Sequence, residues 1–106
     1  MKFPMALVGA AALACTAAPA TAGGSVNVKV VNYTYKAKTI TISKGTTVHW
    51  NWVKGDDKHN VTFHGFHSKT QKTGSFTHTF NKPGTYRYHC TIHGAKFGMH
   101  GTVTVK

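Results

Sequence analysis

Three potential metal ligands of different chemistry stand close together near the C-terminus: Cys90, His93 and Met99. A fourth candidate, His59, lies well upstream of them. Thiolate and thioether are soft ligands that suit Cu(I), while imidazole binds copper in both oxidation states. A site built from two imidazoles, a thiolate and a thioether can therefore change its charge without rebuilding its ligand shell. These residue types predict a copper site that passes single electrons.

The segments that must hold these residues in place have the pattern of β-strands. Apolar and polar residues alternate with a period of two, which is typical of strands with one buried face. Aligned on one face are Val26, Val28 and Val30, Ile40 and Ile42, Val48, Trp50 and Trp52, Phe76, His78 and Phe80, Tyr86, Tyr88 and Cys90, and Val103 and Val105. Glycine, proline and aspartate separate these runs. Six or seven short strands of this kind predict an antiparallel β-sandwich. No segment has a helical pattern, and residues 65–74 are expected to form a loop.

The predicted strands place the candidate ligands at one end of the sandwich. Cys90 should end one strand and Gly101 should begin the next, so the loop between them lies at one pole. The loop 54–58 can bring His59 to the same pole. Loops held by a rigid scaffold are common places for functional residues. We therefore expect one loop to supply three ligands and a neighbouring strand end to supply the fourth.

The N-terminus has the features of a secretory signal peptide. Lys2 is followed by an apolar run over residues 3–14 and by small residues that end at Ala22. The run is too short to remain as a membrane-spanning helix. We predict a signal peptide over residues 1–22, a single domain over residues 23–106, and a periplasmic or secreted product. An alternative is a lipoprotein signal ending at Cys15, although Ala12 stands where such signals usually carry leucine.

The charge narrows the choice of partners, and the cysteine content indicates the role of Cys90. The chain has 13 lysines and arginines, two acidic residues and a formal net charge of +11. A field of this size attracts anionic partners. The lysines are scattered and no nucleic-acid-binding motif is present, so we expect acidic redox proteins or anionic membrane surfaces as partners and not nucleic acid. After cleavage Cys90 is the only cysteine, so an internal disulfide is impossible and metal binding explains the lone thiol best.

From about Thr39 to the C-terminus the sequence resembles the cupredoxins of the plastocyanin/pseudoazurin type. The matching segments are Lys44-Gly45-Thr46-Thr47-Val48, Asp57-Lys58-His59-Asn60-Val61, Phe80-Asn81-Lys82-Pro83-Gly84-Thr85-Tyr86, and the Cys90, His93 and Met99 loop with the strand after it. The resemblance implies a Greek-key β-sandwich of six to eight strands and one bound copper ion. It gives His59, Cys90 and His93 the equatorial positions and Met99 the axial one. It also implies that Asn60 and Thr91 tie the two ligand loops together.

One feature departs from the family pattern, and several histidines stay outside it. Five residues separate His93 from Met99, one more than is usual in plastocyanins. This leaves the distance of Met99 from the metal open. His100 is the nearby substitute ligand, although an exposed loop histidine is the favoured interpretation of that residue. Residue alternation predicts that His49 and His89 face solvent. His64 and His67 could bind a second metal loosely, but scattered surface histidines are the commoner explanation.

The expected function is that of an exported, monomeric electron shuttle. Its partners would be acidic redox proteins such as cytochromes or a terminal reductase or oxidase, and Phe97 could form an apolar collar around the exposed edge of His93. The alternative is a binding protein that captures or delivers copper. An enzyme is not expected, because four protein ligands leave no open metal position. A closed zinc site is also disfavoured, since it usually needs more than one cysteine.

Overall fold

The structure is a computed structural model, and it describes residues 23–53 and 57–106. The predicted signal peptide lies outside these residues, as do Lys54 and Asp56. Within the described ranges no helix is long and apolar enough to cross a membrane.

Eight strands and one short helix make up the described part of the chain. The strands are β1 (Ser25–Val31), β2 (Thr34–Lys36), β3 (Thr39–Ile42), β4 (Thr46–Trp52), β5 (Thr62–Phe63), β6 (Gly74–Phe80), β7 (Gly84–His89) and β8 (His100–Val105). The helix α1 (Gly94–Phe97) lies between β7 and β8. The predicted all-β fold and the strand number are therefore confirmed.

The strands form two four-stranded sheets that pack against each other as a sandwich. The order is β2-β1-β4-β6 in the first sheet and β3-β8-β7-β5 in the second. Neither sheet is purely antiparallel, because β1 pairs with β4 and β3 pairs with β8 in parallel. The chain leaves the first sheet after β2, forms β3 in the second, and returns to place β4 beside β1. A period-two pattern shows which face of a strand is buried, but it does not show the direction of the neighbouring strand.

The core contains many of the residues that the alternation predicted, together with Tyr35, Val61, Phe63 and Met99, which it did not indicate. Strand β4 is buried at every second position through Val48, Trp50 and Trp52. The Trp50 ring lies at the centre of an aromatic cluster, with ring centroids 5.6 Å from Phe63 and 5.4 Å from Tyr88. Burial of this apolar surface is the main force that holds the two sheets together.

The helix α1, like the short strands β2 and β5, is not among the elements that the sequence predicted. It contains four residues, which is too short for a helical period to become visible. Gly98 ends it in the left-handed conformation with φ 66°, where glycine carries no steric penalty. The extra residue between His93 and Met99 is thus accommodated in a helical turn. The predicted loop at 65–74 is confirmed up to Gly74, which begins β6.

Candidate metal centre

The ends of β7 and β8 position the loop that carries three of the predicted ligands. Cys90 directly follows β7 and Met99 directly precedes β8. The Cys90 backbone N–H donates to the Met99 carbonyl over 3.1 Å, which closes the loop at its base. Within the loop, Gly94 N–H donates to the Cys90 carbonyl over 2.7 Å, and Met99 N–H donates to the His93 carbonyl over 3.4 Å. These bonds fix the backbone on which the thiol, imidazole and thioether are mounted.

His59 reaches the same pole on a different segment, as predicted. Its backbone is paired with Gln71 by two hydrogen bonds of 3.0 Å. The Trp52 indole Nε1–H also donates to the His59 carbonyl over 3.0 Å. Because Trp52 is a core residue of β4, the sandwich itself holds this histidine in position.

Three potential ligands meet in a buried cluster. The ligand atoms of His59, Cys90 and His93 all lie within 4.8 Å of one another. Cys90 Sγ is 3.7 Å from His93 Nδ1, and the two Nδ1 atoms are 3.1 Å apart. The relative exposures are 0% for Cys90, 3% for His59 and 8% for His93. A thiol and two imidazoles that converge in a buried pocket match the donor preferences of copper.

Hydrogen bonding and burial prepare His59 to bind a metal through Nδ1. Its Nε2 lies 3.0 Å from the Asn32 side-chain oxygen Oδ1, which can only accept, so Nε2 carries the proton. Nδ1 then presents a lone pair toward Cys90 and His93. Burial lowers the pKa of His59, the neighbouring His93 lowers it further, and Asp57 opposes both effects. The neutral imidazole, which is the ligand form, is thereby favoured.

Comparison with known proteins assigns this arrangement to a family. A family model described as the cupredoxin-like domain matches residues 4–105. The chain belongs to the cupredoxin-like family. The group formed by His59, Cys90 and His93 is positioned to bind one copper ion in this cupredoxin.

Solved structures with the same fold include amicyanin and a Cu-containing nitrite reductase. The reduced state of a proline-to-phenylalanine mutant of amicyanin is 31% identical, with a TM-score of 0.65, and the match covers 81% of this chain and 86% of that chain. The oxidized form of a methionine-to-leucine mutant of amicyanin is 27% identical with a TM-score of 0.67, covering 76% and 81%. A Cu-containing nitrite reductase from Thermus scotoductus SA-01 is 25% identical with a TM-score of 0.63, covering 76% of this chain and 22% of the reductase. A comparison with curated protein sequences gives no match.

Asn60 and Thr91, the two residues expected to join the ligand loops, are in direct contact in this cupredoxin. Asn60 Nδ2 donates to Thr91 Oγ1 over 2.8 Å, and the Thr91 backbone N–H donates to Asn60 Oδ1 over 3.0 Å. The Asn60 carbonyl accepts from the Tyr35 hydroxyl over 2.6 Å. Burial raises the pKa of Tyr35, and the nearby Cys90 raises it further, so this hydroxyl keeps its proton and remains a donor.

An aromatic cap covers the two histidines, and the sequence indicated only part of it. The rings of Tyr33 and Phe97 are stacked, with centroids 4.4 Å apart. The Tyr33 ring also meets His93 edge-on at 5.0 Å. Phe97 was the predicted collar residue, whereas Tyr33 and Asn32 were missed. Both lie in the turn between β1 and β2, and only the strand order brings that turn to the metal centre.

Met99 and its proposed substitute His100 occupy different environments. Met99 is fully buried at the base of the ligand loop. His100 is exposed, and its Nε2 lies 3.0 Å from the Gly94 carbonyl oxygen. The two side chains therefore do not compete for the same space.

Proposed function

We propose that this cupredoxin is an exported mononuclear blue-copper protein that shuttles single electrons between redox partners. The observation that carries the proposal is the closed, buried cluster of His59, Cys90 and His93. When bound there, copper would supply a Cu(II)/Cu(I) couple. Rigid ligands limit the rearrangement that accompanies a change of charge, which favours outer-sphere transfer over bond-making chemistry.

Each side chain has a proposed role in that function. Cys90 as the thiolate, together with Nδ1 of His59 and of His93, would hold the copper ion. Met99 would be a fourth, weaker ligand, and its full burial between Cys90 and β8 supports this role. Asn60 and Thr91 would hold the two ligand segments at a constant separation.

The exposed surface around His93 is the proposed electron port. Tyr33, Phe97 and Ile92 are large apolar side chains that are exposed next to this histidine. Lys58 and Lys96 lie in the adjoining segments, and Lys96 Nζ is 5.6 Å from the centroid of the Phe97 ring. An apolar patch beside positive charge suits acidic redox proteins, such as cytochromes or a terminal reductase or oxidase. We propose that the chain acts as a monomer and is not an enzyme.

Export to the periplasm or the medium is part of the proposal and rests on the sequence of residues 1–22. Mass spectrometry of the secreted product should find an N-terminus near Gly23. A product that begins at a lipid-modified Cys15 would replace the soluble shuttle with an anchored one.

The visible spectrum of the copper-loaded protein tests the site, and electrochemistry tests the function. We expect an intense blue thiolate-to-copper band that disappears in Cys90→Ser, because a serine oxygen cannot supply that transition. Reversible one-electron voltammetry would support a shuttle. The alternative, a protein that captures or delivers copper, predicts ready loss of copper to a competing chelating protein. A Cys90→Ser variant that stays deep blue would contradict the ligand assignment.

A further inference from the structure

Two histidines face each other on the outer surface of the second sheet. His89 ends β7 and His100 begins β8, and the two are register partners in the antiparallel pairing. Both side chains are exposed. Their ring centroids are 6.2 Å apart, with an interplanar angle of 41°. We call His89 and His100 the histidine pair.

A backbone carbonyl sets which nitrogen of His100 is available. His100 Nε2 lies 3.0 Å from the Gly94 carbonyl oxygen, which can only accept, so Nε2 carries the proton. In the neutral ring Nδ1 then holds the lone pair. Histidines that bind metals usually donate their other ring N–H to a carbonyl or carboxylate in this way. Gly94 suits this position because a Cβ there would lie 3.3 Å from His89 Cδ2 and 3.7 Å from His100 Nε2.

We propose that the histidine pair is a second metal site, which binds a divalent transition-metal ion such as Zn²⁺ or Cu²⁺. A metal–imidazole bond is about 2.1 Å long, so two rings on opposite sides of one ion have centroids about 6.4 Å apart. At a tetrahedral angle the centroids are about 5 Å apart. The observed distance of 6.2 Å between the ring centroids is close to the larger of these two values. Closing to the tetrahedral distance needs a movement of about 1 Å by two exposed side chains, which rotate readily.

The charges around the histidine pair predict a weak site with an unusual salt dependence. Arg87 lies on the same face of β7, two residues before His89, and its register partner is Thr102. The next strand presents Thr62 opposite His89. No carboxylate occurs in this part of β5, β7 or β8, and the chain is strongly basic. Because like charge is screened by salt, added salt should strengthen cation binding here. The binding of anionic partners should instead weaken as salt is added.

The histidine pair is connected to the ligand loop through the backbone. His89 directly precedes Cys90, and His100 directly follows Met99. Occupation by a divalent cation should therefore raise the copper reduction potential, because added positive charge favours Cu(I). This consequence rests on the proposed function, whereas metal binding to the pair does not.

Titration of the Cu(I)-loaded protein with Zn²⁺ tests the site, because both ions are diamagnetic and allow NMR of the histidine rings. One Zn²⁺ should bind and shift the ring signals of His89 and His100. His89→Gln should abolish this event, and it leaves the bond from His100 to Gly94 intact. His64→Gln, at an exposed position outside the pair, is the control and should leave binding unchanged. Arg87→Gln should strengthen binding by removing a nearby cation.

The same titration on Cys90→Ser separates this inference from the assignment of the copper centre. Zn²⁺ binding at the histidine pair should persist there even if the main site no longer holds copper. Absence of ring shifts at millimolar Zn²⁺ would overturn the second site. Zn²⁺ binding that survives His89→Gln and disappears in His64→Gln would also overturn the second site.

Discussion

The Asn60 side chain forms two hydrogen bonds with Thr91, one to its hydroxyl and one from its backbone N–H, and so joins the two ligand-bearing segments. We call this pair of bonds the clasp. Asn60 follows His59 and Thr91 follows Cys90, so each member of the clasp is one residue from a metal ligand. The Asn60 side-chain amide donates through its nitrogen and accepts through its oxygen, so two separate atoms can bond to Thr91 at once. The clasp therefore controls the separation of an imidazole and a thiol that come from distant parts of the sequence.

Replacing Asn60 with alanine should destabilise the fold and loosen the metal centre. The change removes both bonds to Thr91 and also the bonds from Asn60 Nδ2 to Thr70 and from the Thr62 hydroxyl to Asn60 Oδ1. We expect a loss of about 1–3 kcal/mol in the free energy of unfolding, measured with urea on the metal-free protein. Thr91→Ala keeps the backbone bond to Asn60 Oδ1 and should cost less. Equal costs for the two variants would contradict the clasp.

Replacing Met99 with leucine should retain copper and raise the reduction potential. The weak thioether donor favours Cu(II), and its loss favours Cu(I). Leucine is close to methionine in volume, so the stability should change by less than about 1.5 kcal/mol. Cyclic voltammetry measures the potential, and urea unfolding verifies the packing. An unchanged potential would show that the longer loop holds the sulfur out of reach of the metal.

Much of this arrangement could be predicted because side-chain chemistry and strand period are local properties. Alternation along β4 identified Val48, Trp50 and Trp52 as core residues, and their burial confirms it. The thiol of Cys90 and the imidazoles of His59 and His93 were identified from residue type and from the strand ends beside them. The structure brings these three side chains together in one buried cluster that is positioned to bind one copper ion.

The parts that could not be predicted depend on contacts between distant segments. The parallel pairing of β1 with β4 follows from the path of the chain between the sheets and leaves no mark on the alternation. Tyr33 and Asn32 stand in an ordinary polar turn. Nothing in the spacing of these two residues indicates that the turn lies next to His59 and His93. The helix α1 is too short for a periodic signal.

Protonation of His78 should make the protein less stable in mild acid. This residue stacks on Phe66 with a centroid distance of 4.0 Å, and burial lowers its pKa below the ordinary value. The unfolded chain then binds more protons than the folded one near the ordinary histidine pKa of about 6.5, so the unfolding free energy falls as the pH drops below it. His78→Phe should flatten that part of the pH profile of urea unfolding. The exposed His64→Gln is the control, and an equal flattening there would contradict the assignment.

Tyr33 should stabilise the cap over His93 through its ring. Tyr33→Ala removes the stack on Phe97 and should cost roughly 0.5–1.5 kcal/mol beyond the lost burial. Tyr33→Phe retains the ring and loses the hydroxyl bond to Asp57. Tyr33 has a positive φ of 68°, and alanine and phenylalanine both share the cost of that conformation, so the two variants are matched in backbone strain. Urea unfolding should show the larger loss for alanine, and the reverse order would assign the stability to the hydroxyl.

Lysines near the metal ligands should accelerate the encounter with acidic partners. We call the end of the sandwich that carries His59, Cys90, His93 and Met99 the copper pole. Lys58 and Lys96 lie beside the apolar patch around His93, and Lys54 precedes Asp57 in a segment outside the described residues. Charges at the rim of an interface act mainly on association rate, and salt screens them with a Debye length of roughly 10 Å at 0.1 M. The second-order rate with an acidic cytochrome should therefore fall as ionic strength rises.

Glutamine at positions 54, 58 and 96 should flatten this dependence on ionic strength and leave the visible spectrum unchanged. Lys82→Gln, in the turn before β7 at the opposite pole, is the matched control. If the control flattens the dependence equally, net charge and not the copper pole governs the encounter.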